Sequence, residues 1–118
     1  DIKAISMHSK MTTEERQKAL NYFRAKKVNI LITTDLLCRG IDINSVSMVI
    51  NFDMPYGDLS YEKYVHRIGR TGRMGKIGLA INFVTPRDCK FLIYLEQFYD
   101  TKIQELPLDC DEIANIQK

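Results

Sequence analysis

Cysteine and long hydrophobic runs are scarce in this sequence, and both absences restrict the kind of protein it can be. Its three cysteines, Cys38, Cys89 and Cys110, lie far apart and form no Cys-x-x-Cys pair. This spacing predicts reduced thiols in an intracellular protein, and it argues against a zinc site or a disulfide framework. No apolar run approaches the roughly 20 residues that a membrane-spanning helix needs, so no membrane partner is expected.

Excess charge of either sign is also small, because the formal net charge is only +2. Net charge alone is therefore too small to argue for a nucleic-acid partner. The distribution is more informative: the stretch from Lys63 to Lys76 holds two lysines, three arginines and no acidic residue. Such a focused basic stripe fits a localised phosphate site better than a broad surface for polyanions.

The basic stripe contains the sequence HRIGRTGR, which places Arg67, Arg70 and Arg73 three residues apart around Gly69 and Gly72. A guanidinium is always charged, and its planar fork binds phosphate oxygens two at a time. The glycines are expected to let the chain turn sharply as a helix ends. A lone arginine at a helix end usually points into water, but solvated charge needs no fixed glycine spacing. The cluster therefore predicts a site for a triphosphate or a group of that shape.

Apolar runs that predict buried strands alternate with helical patterns along the chain. Strands are predicted at 3–7, 28–32, 47–52, 78–84 and 102–106. Thr12, with Glu15 in a capping box, is expected to cap a helix that runs to about residue 26, and Ser60 to cap one that runs through 64–68. A further helix is predicted to open with Pro86 at its first position and to carry the stripe Phe91, Leu92, Leu95 and Phe98, and a last one at 109–116. The run 28–32 is expected to be buried on both faces. This order predicts an α/β fold with a parallel sheet flanked by helices on both faces. Ligands of such sheets bind at the carboxyl ends of the strands. Loops 8–10, 33–42 and 53–57 and the arginine cluster are therefore expected along one rim.

A second polar cluster, TTDLLCRGIDI, follows the predicted strand 28–32. Thr34 and nearby backbone N–H groups could hold a phosphate, and Gly40 would allow a ligand to approach the backbone closely. Asp42 could accept hydrogen bonds from a sugar hydroxyl. A plain turn between strand and helix, capped by Asp35, remains an alternative for this segment. We expect the tyrosines near the basic stripe (Tyr56, Tyr61 and Tyr64) to pack in the core or at its rim and not to stack on nucleic-acid bases.

Together, TDLLCRGIDI and HRIGRTGR resemble motifs V and VI of the DEAD-box RNA helicases, and VINFDMP between them resembles a strand of that family's second RecA-like domain. The resemblance covers essentially the whole chain. It implies that residues 1–118 form a C-terminal RecA-like domain, expected to be an N-terminally truncated fragment without its first strand–helix unit. VSMVINFDMP and the ending DCDEIANI resemble the messenger-RNA export subfamily at the nuclear pore. The decapping-activator and translation-initiation branches remain open.

The resemblance implies a role for each matching residue in the ATP site. Arg70 and Arg73 resemble catalytic arginine fingers that also bind the γ-phosphate of ATP held on another domain. Asp42 resembles the contact to the ATP ribose. The cofactor would be ATP with Mg²⁺, both bound mainly by the first RecA-like domain, and no metal ligand is expected in this chain.

The resemblance also implies two groups of residues outside the ATP site. Contacts to the RNA backbone would come from Arg16, Thr34 and Gly40. Coupling between nucleotide state and RNA grip across the two domains would come from Arg39, His66 and Arg67. Two positions depart from the family pattern: Thr13 stands where a glutamine precedes the RNA-contacting arginine, and Ser9 stands where a loop glycine is usual. These departures weaken the expected RNA contacts at Thr13 and Ser9.

Neither the phosphate-binding pattern GxxxxGK[ST] nor a DEAD tetrapeptide occurs in the sequence. We therefore expect no ATP turnover by this chain alone. The implied partners are single-stranded RNA or a short RNA duplex, the first RecA-like domain and a regulatory adaptor protein. A cytoplasmic location is expected, with the nucleus and the nuclear envelope left open. Two other functions remain: a catalytically silent RNA or adaptor module, and a DNA-directed translocase, whose motif usually begins with glutamine where His66 stands.

Overall fold

The computed structural model describes residues 1–35, 46–72 and 77–106. The chain divides into two compact units, Asp1–Ile43 and Asn44–Lys118. Strands pair in parallel in both units, and each unit carries helices between or after its strands. The predicted α/β class with parallel strands is therefore confirmed. None of the helices in the described ranges is long and apolar enough to cross a membrane.

The first unit is a strand–helix–strand arrangement. Strand β1 (Ala4–Ser6) pairs in parallel with β2 (Ile30–Ile32), and helix α1 (Thr13–Arg24) connects them. The predicted cap at Thr12 is present, because its side-chain oxygen accepts a hydrogen bond from the Glu15 backbone N–H at 3.1 Å. Ala19 and Leu20 of α1 are buried, as is Met7 after β1. Burial of these side chains holds the unit together.

Helix α1 ends in a turn with two characteristic hydrogen bonds. The backbone N–H of Lys27 donates to the Tyr22 carbonyl at 2.9 Å, and that of Lys26 donates to the Phe23 carbonyl at 3.0 Å. This is the Schellman pattern, which satisfies carbonyls that the helix itself leaves unpaired. Lys26 adopts the left-handed conformation that the pattern requires, with φ of 59°.

The described part of the second unit contains two parallel strands and two helices. Strand β3 (Met48–Asn51) is followed by helix α2 (Ser60–Ile68), strand β4 (Leu79–Asn82), a 3₁₀ turn (Pro86–Asp88) and helix α3 (Cys89–Phe98). The register of the strand pair places Asn51 opposite Asn82. The core consists of Met54, Tyr64 and Leu95, with Ile68, Phe91, Leu92 and Ile103 packed against it.

Aromatic rings line the junction between α2 and α3. Tyr61 of α2 stacks on Phe91 and on Tyr94, with ring centroids 5.0 Å and 4.1 Å apart. Tyr94 in turn stacks on Phe98 at 5.9 Å. Stacked rings contribute beyond the area they bury, so this row fixes how the two helices pack.

Two predicted elements of the second unit are wrong. Ser60 does not cap α2: the Leu59 carbonyl already accepts the first helical hydrogen bond from the Lys63 N–H, so Ser60 lies inside the helix. Leu59 occupies the cap position with φ of 63°. Residues 102–106 form no strand, because the Glu96 carboxylate accepts a hydrogen bond from the Ile103 backbone N–H at 3.0 Å. That amide is therefore not available to a strand partner. The predicted helix 109–116 lies outside the described residues.

Two predictions of burial are also wrong. The run 28–32 is not buried on both faces, since Ile32 is 57% exposed and Ile30 is exposed as well. Strand side chains alternate between faces. Among the described residues of this unit, α1 is the helix that contacts the two strands, and Ile5 and Leu31 are the partly buried strand residues. Phe98, expected in the apolar stripe of α3, is 65% exposed at the end of that helix.

Candidate functional site

The arginine segment, defined as residues 66–72, begins in the last turn of α2 and continues past it. After Ile68 the helix unwinds through short-range hydrogen bonds: Arg70 N–H donates to the Arg67 carbonyl, and Thr71 N–H donates to the Ile68 carbonyl. His66 is exposed, whereas Arg67 and Arg70 are half-buried. The segment therefore brings three of the predicted site residues to one end of α2.

Thr71 connects the arginine segment to Val46, two residues before β3. Its hydroxyl donates to the Val46 carbonyl at 2.6 Å, and the Val46 N–H donates to the Arg70 carbonyl at 2.9 Å. These two bonds fix the backbone immediately after the Arg70 side chain. Such fixing would raise the affinity of the Arg70 guanidinium for a phosphate, because less conformational freedom is lost when the ligand binds.

The two glycines of the segment do not play the same part. Gly72 has φ of 71°, in the left-handed region that favours glycine, and it makes the predicted sharp turn. The same expectation is wrong for Gly69, which has φ of −66° because it still closes the helix as its C-cap.

Arg67 is held by two acceptors at the carboxyl end of β3. Its Nη1 donates to the Asp53 carbonyl at 2.6 Å and to the Asn51 side-chain oxygen at 3.3 Å. The Asn51 amide nitrogen donates to the Asn82 oxygen at 2.8 Å, and the Asn82 nitrogen donates to the Tyr64 hydroxyl at 3.1 Å. We call this row of four side chains the amide ladder.

No sequence motif singles out the two asparagines of the amide ladder. A signal is present, since Asn51 and Asn82 are polar residues inside the predicted strands 47–52 and 78–84. Their contact depends on the register of the strand pair, which the runs themselves do not specify. Tyr64 packs in the core as expected, and its hydroxyl also accepts the hydrogen bond from Asn82.

The first unit carries two of the predicted RNA contacts. Arg16 is half-buried, and its Nη2 donates to the Ser9 carbonyl at 2.9 Å, so it is attached to the loop that follows β1. Thr34 is exposed and lies just beyond the end of β2. Because β1 and β2 are parallel, loop 8–10 and Thr34 lie at the same edge of this strand pair.

The remaining predicted residues cannot be placed. Arg39, Gly40, Asp42 and Arg73 lie outside the described residues, so the single rim shared by all the loops stays a prediction. Within the described ranges, no three histidine, cysteine or acidic side chains come together in a way that could hold a metal ion.

Residues 1–75 match the family model described as the helicase conserved C-terminal domain. Among the curated relatives, "Eukaryotic initiation factor 4A" of Dictyostelium discoideum is 49% identical over 108 residues, which cover 92% of this chain and 26% of the relative. "ATP-dependent RNA helicase eIF4A" of Schizosaccharomyces pombe is 46% identical over 113 residues, which cover 96% of this chain and 28% of the relative. The chain thus spans about a quarter of the length of the curated relatives it matches.

Solved structures agree with these matches. The C-terminal domain of the DEAD-box protein Dbp5 superposes with a TM-score of 0.80 at 37% identity, over 98% of this chain and 67% of that chain. S. cerevisiae Dbp5 L327V bound to RNA and ADP BeF3 gives 0.85 at 38% identity, over 97% of this chain and 31% of that chain. The same protein bound to Gle1 H337R and IP6 gives 0.83 at 36% identity, over 98% of this chain and 31% of that chain. The chain therefore belongs to the helicase conserved C-terminal domain family, within the DEAD-box proteins.

Proposed function

We propose that the full-length protein is an RNA-dependent ATPase and that this chain supplies the arginine side of its ATP site. The observation that carries the proposal is the anchoring of the arginine segment by Thr71 and by the two acceptors of Arg67. A charged segment held this firmly suits a site in which charge must be neutralised at a fixed place.

In this proposal Arg70 and Arg73 bind the γ-phosphate of ATP held on the first RecA-like domain. Their guanidinium groups neutralise the charge that develops on the transferred phosphoryl group, a role worth about 10³–10⁵ in rate in comparable enzymes. Asp42 accepts a hydrogen bond from the ribose. Mg²⁺ would be held mainly by the first domain, and it would offset negative charge on the phosphates.

RNA is gripped through its backbone by Arg16, Thr34 and Gly40. The position of Thr34 and loop 8–10 at one edge of the first strand pair supports this grouping. Contacts to the sugar-phosphate backbone do not distinguish between bases, so the enzyme would bind RNA independently of its sequence.

The two ligands would help each other to bind. Arg39, His66 and Arg67 are proposed to face the first RecA-like domain, where they would respond to the nucleotide and the RNA together. If ATP tightens the grip on RNA, RNA must tighten the grip on ATP by the same factor.

The proposal extends to the subfamily, the partners and the location. The resemblance of VSMVINFDMP and DCDEIANI favours the messenger-RNA export subfamily, and the structures of Dbp5 with RNA and with Gle1 and IP6 favour RNA and an adaptor protein as partners. The eIF4A relatives favour the translation-initiation branch instead. We propose the messenger-RNA export subfamily and a cytoplasmic protein that also works at the nuclear envelope.

The proposal is tested by Arg70→Lys in the full-length protein. Lysine keeps the charge and loses the planar fork, so RNA-stimulated ATP hydrolysis should fall about 10³-fold or more, whereas RNA binding without nucleotide should not change. Arg87→Lys, on the exposed 3₁₀ turn, is the matched control and should behave as wild type. Near-normal hydrolysis by Arg70→Lys would remove Arg70 from its role.

The same assay separates the other functions. A silent RNA or adaptor module would bind RNA without any ATP hydrolysis by the wild-type protein. A DNA-directed translocase would be stimulated by DNA and hardly by RNA. ATP hydrolysis that is stimulated by RNA and not by DNA supports the proposal.

A further inference from the structure

The amide ladder is a partly buried polar row that extends into the apolar interior of the second unit. Asn51 is 3% exposed and Tyr64 is 7% exposed, and Asn51 follows the apolar residues of β3. Burying an amide costs free energy unless all its polar atoms find partners. In this ladder the nitrogen and the oxygen of both asparagines are hydrogen-bonded.

The direction of the ladder is fixed from its Arg67 end. A guanidinium can only donate, so the Asn51 oxygen must face Arg67 and its nitrogen must face Asn82. The Asn82 oxygen then accepts from Asn51, which leaves its nitrogen to donate to the Tyr64 hydroxyl. The orientation of every group in the row therefore depends on the arginine.

We propose that Asn51 and Asn82 are positioning residues that hold the Arg67 guanidinium at the end of β3. Asn51 supplies one acceptor directly, and Asn82 fixes the orientation of Asn51. The functional part of the inference rests on the proposed function, in which Arg67 couples nucleotide state to RNA grip.

Positioning of Arg67 before the ligands arrive has a physical benefit. An arginine side chain loses rotamer entropy when it is fixed. If the ladder and the Asp53 carbonyl already fix it, closure of the two domains does not incur this cost. Loss of the ladder should therefore weaken coupling between the ligands and leave the binding of each ligand alone unchanged.

The test measures the coupling factor in the full-length protein, defined as the fold by which a non-hydrolysable ATP analogue raises RNA affinity. Asn51→Leu keeps the size of the side chain and removes the acceptor, so the factor should fall about tenfold, within the usual range of such couplings. Asn51→Asp keeps an acceptor, and Asn82 can turn to donate to it, so the factor should return to within about threefold of wild type.

Control variants separate positioning from stability. Asn29→Leu removes an exposed acceptor of the Lys3 backbone N–H in the first unit and should leave the factor unchanged. Should Asn51→Leu not fold, Asn51→Ser, which is too short to reach Arg67, replaces it with the same expected loss. A variant that melts at a lower temperature but keeps the wild-type coupling factor would overturn the functional part of the inference.

Selective ¹⁵N labelling of arginine in the full-length protein gives a readout that does not depend on ATP or RNA. The Arg67 signal is assigned by its loss in Arg67→Lys. Rotation of its guanidinium should be slow in wild type and in Asn51→Asp, and measurably faster in Asn51→Leu, in which the Asp53 carbonyl remains as an acceptor. Equal rotation in wild type and Asn51→Leu would overturn the positioning role. A wild-type protein with slow rotation but no coupling between ATP and RNA would support that role and instead refute the proposed function.

Discussion

Gly78 lies where the chain has no room for a side chain. A β-carbon at this position would overlap the Thr71 hydroxyl oxygen and the Gly72 backbone nitrogen, both in the arginine segment. The start of β4 is therefore packed directly against the residues that hold Arg70 in place. A substitution here should disturb the site through backbone displacement.

Gly78→Ala should lower the free energy of unfolding by about 1–3 kcal/mol, as expected for a side chain forced into a filled space. Gly57→Ala is the control: no atom lies within 4 Å of its β-carbon, and only its φ of 80° opposes a side chain. That strain costs about 1 kcal/mol. Urea unfolding of both variants measures the difference, and equal losses would show that the overlap at Gly78 is relieved.

Thr34 offers a prediction about RNA at the same scale. Thr34→Ala should weaken RNA binding about five- to tenfold through loss of one backbone contact, and nucleotide binding should not change. Thr33→Ala is the neighbouring control, because the Thr33 hydroxyl donates to the Thr34 carbonyl and is not expected to contact RNA. Titration of the full-length protein with labelled RNA and with a nucleotide analogue measures both affinities. Equal losses for both ligands would contradict the assignment of Thr34 to RNA alone.

Among the elements, α1 ends with a residue poorly suited to its backbone. Lys26 has φ of 59° in the Schellman turn, a position that glycine usually fills. Lys26→Gly should therefore raise the free energy of unfolding by about 1 kcal/mol. Lys26→Ala removes the same side chain without relieving the backbone and should give no gain. Thermal and urea unfolding compare them, and a loss of stability in Lys26→Gly would show that the lysine side chain outweighs the strain.

Helix ends also show how far the sequence could predict the elements. The Thr12 cap and the proline at the start of the 3₁₀ turn follow from local chemistry, and both are present. The start of α2 was missed because a leucine gives no signal of a left-handed backbone, yet Leu59 adopts one. The absent strand at 102–106 depends on the Glu96 carboxylate, a contact that no hydrophobic pattern reveals.

The candidate site, too, could be predicted from the sequence only in part. The spacing of the HRIGRTGR arginines predicted a basic cluster at a helix end, and the structure has Arg67 and Arg70 there. What orders the cluster could not be predicted, because the partners of Thr71 and Arg67 come from Val46, Asn51 and Asp53, which are distant in sequence. Such contacts exist only once the strand is in place.

At the scale of the whole molecule, this chain is expected to be one half of a bipartite enzyme. Alone, it should hydrolyse no ATP with or without RNA, because the sequence contains neither the phosphate-binding pattern nor the DEAD acids. A phosphate-release assay on the 118-residue chain, with the full-length protein as positive control, measures this. Turnover by the chain alone that Arg70→Lys abolishes would refute the bipartite site.

The row of stacked rings between α2 and α3 gives the protein an optical reporter of its own. The chain has no tryptophan, so its near-ultraviolet circular dichroism comes largely from tyrosine. Tyr61 and Tyr94, 4.1 Å apart, bring two tyrosine chromophores from different helices into electronic contact. Loosening of this helix pair would therefore be visible in an unlabelled sample, before any secondary structure is lost.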